Sequence, residues 1–360
     1  MTSNEDLLEP VQPISPGEYL RKELVARNMS QTELARRMGR PGQAINEIIN
    51  GKKSVTQETA LELEHVLGTP ASIWLNLESR YQLAVARVAE DERLEGQAAW
   101  LDRFPVHEME HRKWIQPGTT AAERVRLLLR FFGVASFANW NEHQEALGFR
   151  ITGNANLDTG ALAAWIRRGE MEGRDLATAE YDEPQFRSLL VNARALTRHT
   201  PEAGWTRLQR SCAEVGVAAV VVREFPKIGA NGVARWLSPQ KALIQLNLRY
   251  RWADIFWFTF FHEAAHVLMH EPRRIFVELD GNPSRDPHEA DADRLAEEIL
   301  IPAKDWEPFV LRSEFDSSSV REYADMLGIH PGIVVGRLQH VGLVPWRSNL
   351  NALRERLEWR

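Results

Sequence analysis

Residues 258–270 read FTFFHEAAHVLMH, and the meaning of this stretch decides what the chain is. On a helix His262 and His266 stand four apart, so they share one face and can converge on a single metal ion. Glu263 follows the first imidazole, where its carboxylate faces a water that such an ion activates and can take its proton. The pattern H-E-x-x-H is not sufficient, because HEMEH at 107–111 matches it too. Context separates the two. FWFTFF before HEAAH and VLMH after it make a nearly continuous apolar helix, expected in a core, where ligands are held rigidly. HEMEH follows Pro105 and runs into HRKW, with only Val106, Met109 and Trp114 able to pack. It reads as an exposed turn or short surface helix.

A zinc site needs a third ligand. Eight residues of helix span roughly 12 Å, so His270 cannot join His262 and His266 on one ion. Met269 and Pro272 stand where the longer motif HExxHxxGxxH has Gly and His. The better candidate is Glu289 in EADADRLAEEILIP, with Asp293 one helical turn beyond it, placed to hydrogen-bond a ligand histidine and fix its tautomer. Asp291 is the alternative carboxylate, on a different face of the helix. Read alone, Glu289 and Asp293 also suit a solvated acidic helix start.

Composition sets the frame. The chain has 360 residues, enough for two or three domains, with 44% hydrophobic and 26% charged residues, ordinary values for a globular protein. No apolar run approaches 18 residues, and MTSNEDLLEP is acidic rather than basic-then-apolar, so neither a membrane span nor a secretory signal is expected. The single cysteine, Cys212, lies in SCAEVGVAAVVV and reads as a buried small hydrophobe, which fits a reducing cytoplasm. A net charge of −6 means that any nucleic-acid contact must come from a local basic surface.

Periodicity divides the chain. Residues 1–16 form a polar, proline-punctuated lead-in expected to be flexible, and residues 17–89 hold five successive helical patterns with Ser30 and Thr56 as caps and Gly39, Gly51 and Gly68 as stops. Residues 90–200 are a helical linking region. Strand character appears in GVAAVVVREF, GVARWL and KALIQLN, so residues 201–310 form the domain with a small sheet. Residues 311–360 are a helical extension. The expected fold class is α+β, predominantly helical.

In SQTELARRMGRPGQAINEIINGKKSVTQETA a short helix with Leu34, Ala35 and Met38 on its apolar face meets a tight turn at Gly39. The next helix buries Ala44, Ile45, Ile48 and Ile49 and turns Gln43, Asn46 and Glu47 outward. This is the layout of a helix-turn-helix, in which Gln43 and Asn46 would meet base edges and Lys52 and Lys53 phosphates. Gln31, heading the first of the two helices, completes the expected DNA contacts. The same pattern also suits a helical bundle used for dimerisation or docking. GEYLRKEL, SQTELARRMG, INEIINGKKSVT and ALELEHVLGTPASIWLNLESRYQLA resemble the Xre-type helix-turn-helix of HigA-like antitoxins, which implies operator DNA as a partner and a homodimer. RPG at 40–42 departs from that family, which usually has a Ser-containing helix start there.

The second half resembles another family. ARWLSPQKALIQLN, FTFFHEAAHVLMH and EADADRLAEEILIP are similar to the ImmA/IrrE metallopeptidases, whose zinc domain is of the thermolysin-like, gluzincin type. The resemblance implies a Zn²⁺ cofactor held by His262, His266 and Glu289, with Glu263 as general base. It also implies that the strand holding Leu243, Ile244, Gln245, Leu246 and Asn247 borders the cleft and pairs with an extended peptide. The expected function is a DNA-binding regulator carrying a zinc endopeptidase that cleaves a regulatory protein, a repressor or an antitoxin, under stress. The alternative is an antitoxin or repressor whose peptidase-like domain senses a ligand or binds a partner without catalysis. Tyr250, His288 and His330 are open candidates for the donor that stabilises the oxyanion.

Overall fold

The structure is a computed structural model that describes residues 14–140, 157–269, 276–279, 287–312 and 314–357. Most of the lead-in, most of residues 152–160, His270 and the residues flanking β4 therefore lie outside the described residues. The fold is the expected predominantly helical α+β type. It forms two compact units, residues 1–98 with 119–125 and residues 99–118 with 126–360.

The first unit is built from α1 (Pro16–Ala26), α2 (Gln31–Met38), α3 (Gly42–Ile49), α4 (Gln57–Leu67) and α5 (Ala71–Glu95). Its ends obey local chemistry. Ser30 accepts the Glu33 amide at the start of α2, and Gly39 takes a left-handed φ of 67° at its end, turning the chain into α3. Leu34, Met38, Ile45, Ile48 and Ile49 from this pair close a core with Leu20, Leu63 and the fully buried Trp74. Arg40, at the turn, is ion-paired with Glu58 and Glu62 of α4, which ties the departing RPG segment to the bundle. Pro41 precedes α3 as its N-cap rather than entering its first turn, and Ala44 is only half-buried. Helix α5 continues past the boundary expected at residue 89.

Next along the chain come α6 (Val106–His111), within the second unit, and α7 (Ala121–Phe132), whose residues are divided between the two. The second unit then continues through α8 (Thr159–Asp175), α9 (Glu183–Ala193) and α10 (Pro201–Glu214) into a four-stranded sheet. Its strands are β1 (Val217–Val221), β2 (Ala230–Ser238), β3 (Lys241–Leu246) and β4 (Phe276–Leu279), in the order β1-β3-β2-β4. β1 pairs parallel with β3, and β2 pairs antiparallel with both β3 and β4. This corrects the expectation for KALIQLN. β3 has a hydrogen-bonded neighbour on each side, and Leu243, Ile244, Gln245 and Leu246 are fully buried with Asn247 nearly so. An interior strand has no free edge to offer a peptide.

Helix α8 lies on this sheet because it carries glycines where the contact is closest. A methyl group on Gly169 would run into the Gln245 side chain, and one on Gly173 would come within 2.6 Å of Leu243. Trp165, fully buried, donates to the Val222 carbonyl at 2.9 Å. Arg167 donates to the Phe131 carbonyl and pairs with the buried Glu170. Cys212 is buried, and burial pushes its thiol pKa up, as suits a core residue.

On the other side of the sheet packs α11 (Ala253–Met269), followed by α12 (Pro287–Leu300), α13 (Ala303–Val310), α14 (Ser317–Leu327) and α15 (Pro331–His340). The last residues lock the start of α11. Arg354 makes a bidentate pair with Asp254, at 2.8 and 3.1 Å, and Ala253 donates to the Glu355 carbonyl. Both charged side chains are nearly buried, so each needs the other.

Gly17 gives a test of the first unit's packing. An added methyl there would sit 2.5 Å from the Ile49 carbonyl oxygen and nearer still to that of Ile48, backbone that cannot step aside. Gly17→Ala is expected to destabilise this unit by about 1–3 kcal/mol in denaturant titration. Gly42→Ala, with nothing within 4 Å of the new methyl, is expected to be neutral or stabilising by up to about 1 kcal/mol.

Candidate metal centre

Helix α11 is apolar enough to be buried on all sides, and it carries the polar residues of HEAAH into the core. His262 is 1% exposed, Glu263 0% and His266 2%. The facing helix, α12, buries Ala292, Ala296 and Leu300 along one stripe. Two alanines in that stripe let the helices approach closely, which brings the first turn of α12 over the two imidazoles. Glu289 arrives from that turn.

The donors converge. His262 Nε2 lies 3.0 Å from His266 Nε2 and 3.1 Å from Glu289 Oε2, and His266 Nε2 lies 3.4 Å from the same oxygen. Tetrahedral zinc with bonds of roughly 2.0–2.2 Å separates its donors by about 3.3 Å. The two imidazoles and one carboxylate thus fit zinc in both type and spacing, and they form the His–His–Glu group able to hold a metal among the described residues. Asp293, one turn after Glu289, places Oδ1 2.8 Å from His262 Nδ1. The imidazole N–H donates to that carboxylate, which leaves the lone pair on Nε2 directed at the other donors.

Electrostatics favour the same states. Burial foremost lowers the His266 pKa and keeps the ring neutral, the form that ligates a metal. Burial alone would raise the Glu289 carboxyl, but its close contacts with the His262 and His266 rings hold it well below the usual carboxylate range. Asp291, the alternative carboxylate, is ion-paired with Arg294 on the outer side of α12.

β2 passes directly over Glu263. A methyl group on Gly232 would collide with the Glu263 carboxylate, and would lie 2.7 Å from its Cγ and 2.8 Å from Thr259 Cγ2. Gly232 is therefore part of the site's wall, and sequence reading missed it. Gly232, the first residue of GVARWL, lies inside β2, and a glycine within a strand marks such a close approach.

The remaining candidates are placed as follows. In α6, Val106 and Met109 are buried while His107 and His111 are exposed, so HEMEH points its imidazoles outward. His330 caps α15, its Nδ1 accepting the Gly332 amide at 3.1 Å. Tyr250 is 42% exposed in the loop before α11, with the Arg249 guanidinium over its ring. His288 is half-buried beside Glu289. In the first unit Gln31, Gln43, Asn46, Lys52 and Lys53 are all exposed. Gln43 donates to Glu47 and Asn46 accepts from Asn50 along one face of α3.

Comparison with known proteins supplies the families. Residues 20–74 match the family model described as Helix-turn-helix, and residues 218–333 match the one described as IrrE N-terminal-like domain, of the M78 peptidases. Among curated proteins, the Uncharacterized HTH-type transcriptional regulator YddM of Escherichia coli (strain K12) is 33% identical over 76 residues, which are 21% of this chain and 81% of the relative. Virulence-associated protein I of Dichelobacter nodosus is 38% identical over 74 residues, 20% of this chain and 68% of the relative. Among solved structures, the Pseudomonas aeruginosa antitoxin HigA with higBA promoter is 34% identical over 24% of this chain and 94% of its own, with a TM-score of 0.23. The chain thus belongs, through residues 20–74, to the Xre-type helix-turn-helix proteins and carries in residues 218–333 an IrrE/ImmA-like domain of the M78 peptidase family.

Proposed function

We propose that the chain is a DNA-binding transcriptional regulator whose M78 domain is a zinc-dependent endopeptidase acting on a regulatory protein, a repressor or an antitoxin. The observation that carries the catalytic part is Glu263, fully buried between α11 and β2 beside the converging donors of His262, His266 and Glu289. A site built only to hold a metal has no use for a fourth ionisable group walled in beside it, whereas hydrolysis requires one.

In this reading His262, His266 and Glu289 hold the metal and Asp293 orients His262. Zinc, when bound, supplies Lewis acidity that polarises a carbonyl and lowers the pKa of water to about 7. Glu263 accepts a proton on its carboxylate from the attacking water and returns it to the leaving peptide nitrogen. Gly232 keeps the strand wall thin enough for that carboxylate to sit in place, and the apolar surroundings exclude competing water. Substrate does not pair with β3.

For DNA, α3 is the proposed recognition helix, with Gln43 and Asn46 meeting base edges and Gln31, Lys52 and Lys53 meeting the backbone. The similarity to an HTH-type transcriptional regulator of E. coli supports a regulatory role. A homodimer would present two such helices to two half-sites.

Four outcomes are expected. Glu263→Gln keeps bound zinc and the unfolding midpoint but lowers cleavage of a co-expressed substrate at least about 100-fold; unchanged cleavage removes Glu263 as the base. Asp293→Asn weakens zinc affinity by about 10–100-fold in competition with a chromophoric chelator. Asn46→Ala costs about 1–3 kcal/mol of discrimination at one operator base pair. Lys52→Ala lowers affinity for all sequences alike and reduces the salt slope by about one.

A further inference from the structure

Apart from the metal centre, the second unit holds a cavity of about 330 Å³, lined by Arg198, His199, Arg321, His330, Arg354 and Glu355 among others. None of its residues belongs to the His262 cluster. Its charge is unusual for a chain with a net charge of −6. Three arginines and two histidines face one acid, Glu355, whose carboxyl burial pushes toward the neutral form.

Two of the arginines already have partners: Arg198 pairs with Asp325 at 3.2 Å and Arg354 with Asp254 at 2.8 Å. Arg321 makes no ion pair among the described residues, so its charge is available to an occupant. The histidines add neutral donors. His330 Nδ1 accepts from the Gly332 amide, which puts the proton of the neutral ring on Nε2. His199 Nε2 lies 2.9 Å from Arg207 Nη1, which donates to it and leaves the proton on Nδ1. The volume exceeds what a lone phosphate fills and falls at the small end of pockets for organic ligands. The Arg354 guanidinium also joins this cavity to the first turn of α11 through Asp254.

We propose that this cavity binds a small phosphorylated organic molecule, with Arg321 as the principal counter-charge and His199 and His330 as hydrogen-bond donors. Guanidinium recognition of a phosphate monoester is charge-assisted and geometrically specific, so the phosphoryl group is the part the site reads. This assignment stands whether or not the metal centre is catalytic.

The test is calorimetric titration of the full-length protein at fixed ionic strength with ribose 5-phosphate, ribose and inorganic phosphate. The expected result is one ribose 5-phosphate bound per chain, with ribose at least about ten-fold weaker. Arg321→Ala, an exposed position whose replacement leaves the unfolding midpoint unchanged, is expected to weaken the phosphate ester about ten-fold or more. Inorganic phosphate binding as tightly as the ester, with the same loss in Arg321→Ala, would make free phosphate the occupant that supplies the recognised group. Saturable binding by neither probe, or binding unaffected by Arg321→Ala, overturns the proposal.

Discussion

Two imidazoles and a carboxylate are buried within five residues of a largely apolar helix, and the second unit is arranged around that fact. Ionisable groups taken out of water cost several kcal/mol each unless they are hydrogen-bonded or bound to a metal. α11 meets that cost only in company. Glu289 and Asp293 of α12 supply the carboxylates, and Ala292 and Ala296 bring them close enough. Gly232 lets β2 lie against Glu263, and the Arg354–Asp254 pair secures the helix start from the far end of the chain. Each of these features would be costly or pointless without the others. That mutual dependence is why the His–His–Glu geometry reads as a metal centre rather than as a chance cluster.

Much of this was legible in the sequence wherever the deciding physics is local. The helices of the first unit announce themselves by caps such as Ser30 and Thr56 and by glycine stops at Gly39 and Gly68, all short-range features. HEAAH was separable from HEMEH by the apolar residues flanking it, and the structure buries the one and exposes the imidazoles of the other. The reach of a helix excluded His270 from sharing an ion with His262 and His266, and Glu289 was the better candidate for the third place, as the resemblance to the ImmA/IrrE peptidases also implies.

What failed to read was non-local. KALIQLN looks the same whether it ends a sheet or sits inside one, and only its parallel pairing with β1 makes it interior. β4 lies in a stretch with no strand pattern that stood out. The C-terminal extension is tied to α11 by an ion pair between residues one hundred positions apart, which no periodicity reveals. Arg167, near the buried Trp165, is held by Glu170 and a backbone carbonyl, contacts that its own stretch of sequence does not reveal.

The central claim is that His262, His266 and Glu289 close on one zinc ion. X-ray absorption at the zinc edge of the full-length protein addresses it most directly. The account predicts one zinc per chain in a shell of nitrogen and oxygen atoms at roughly 2.0–2.2 Å, with the outer-shell scattering of two imidazoles. A sulfur-containing shell, a shell without imidazole scattering, or a spectrum unchanged by His262→Ala would contradict it.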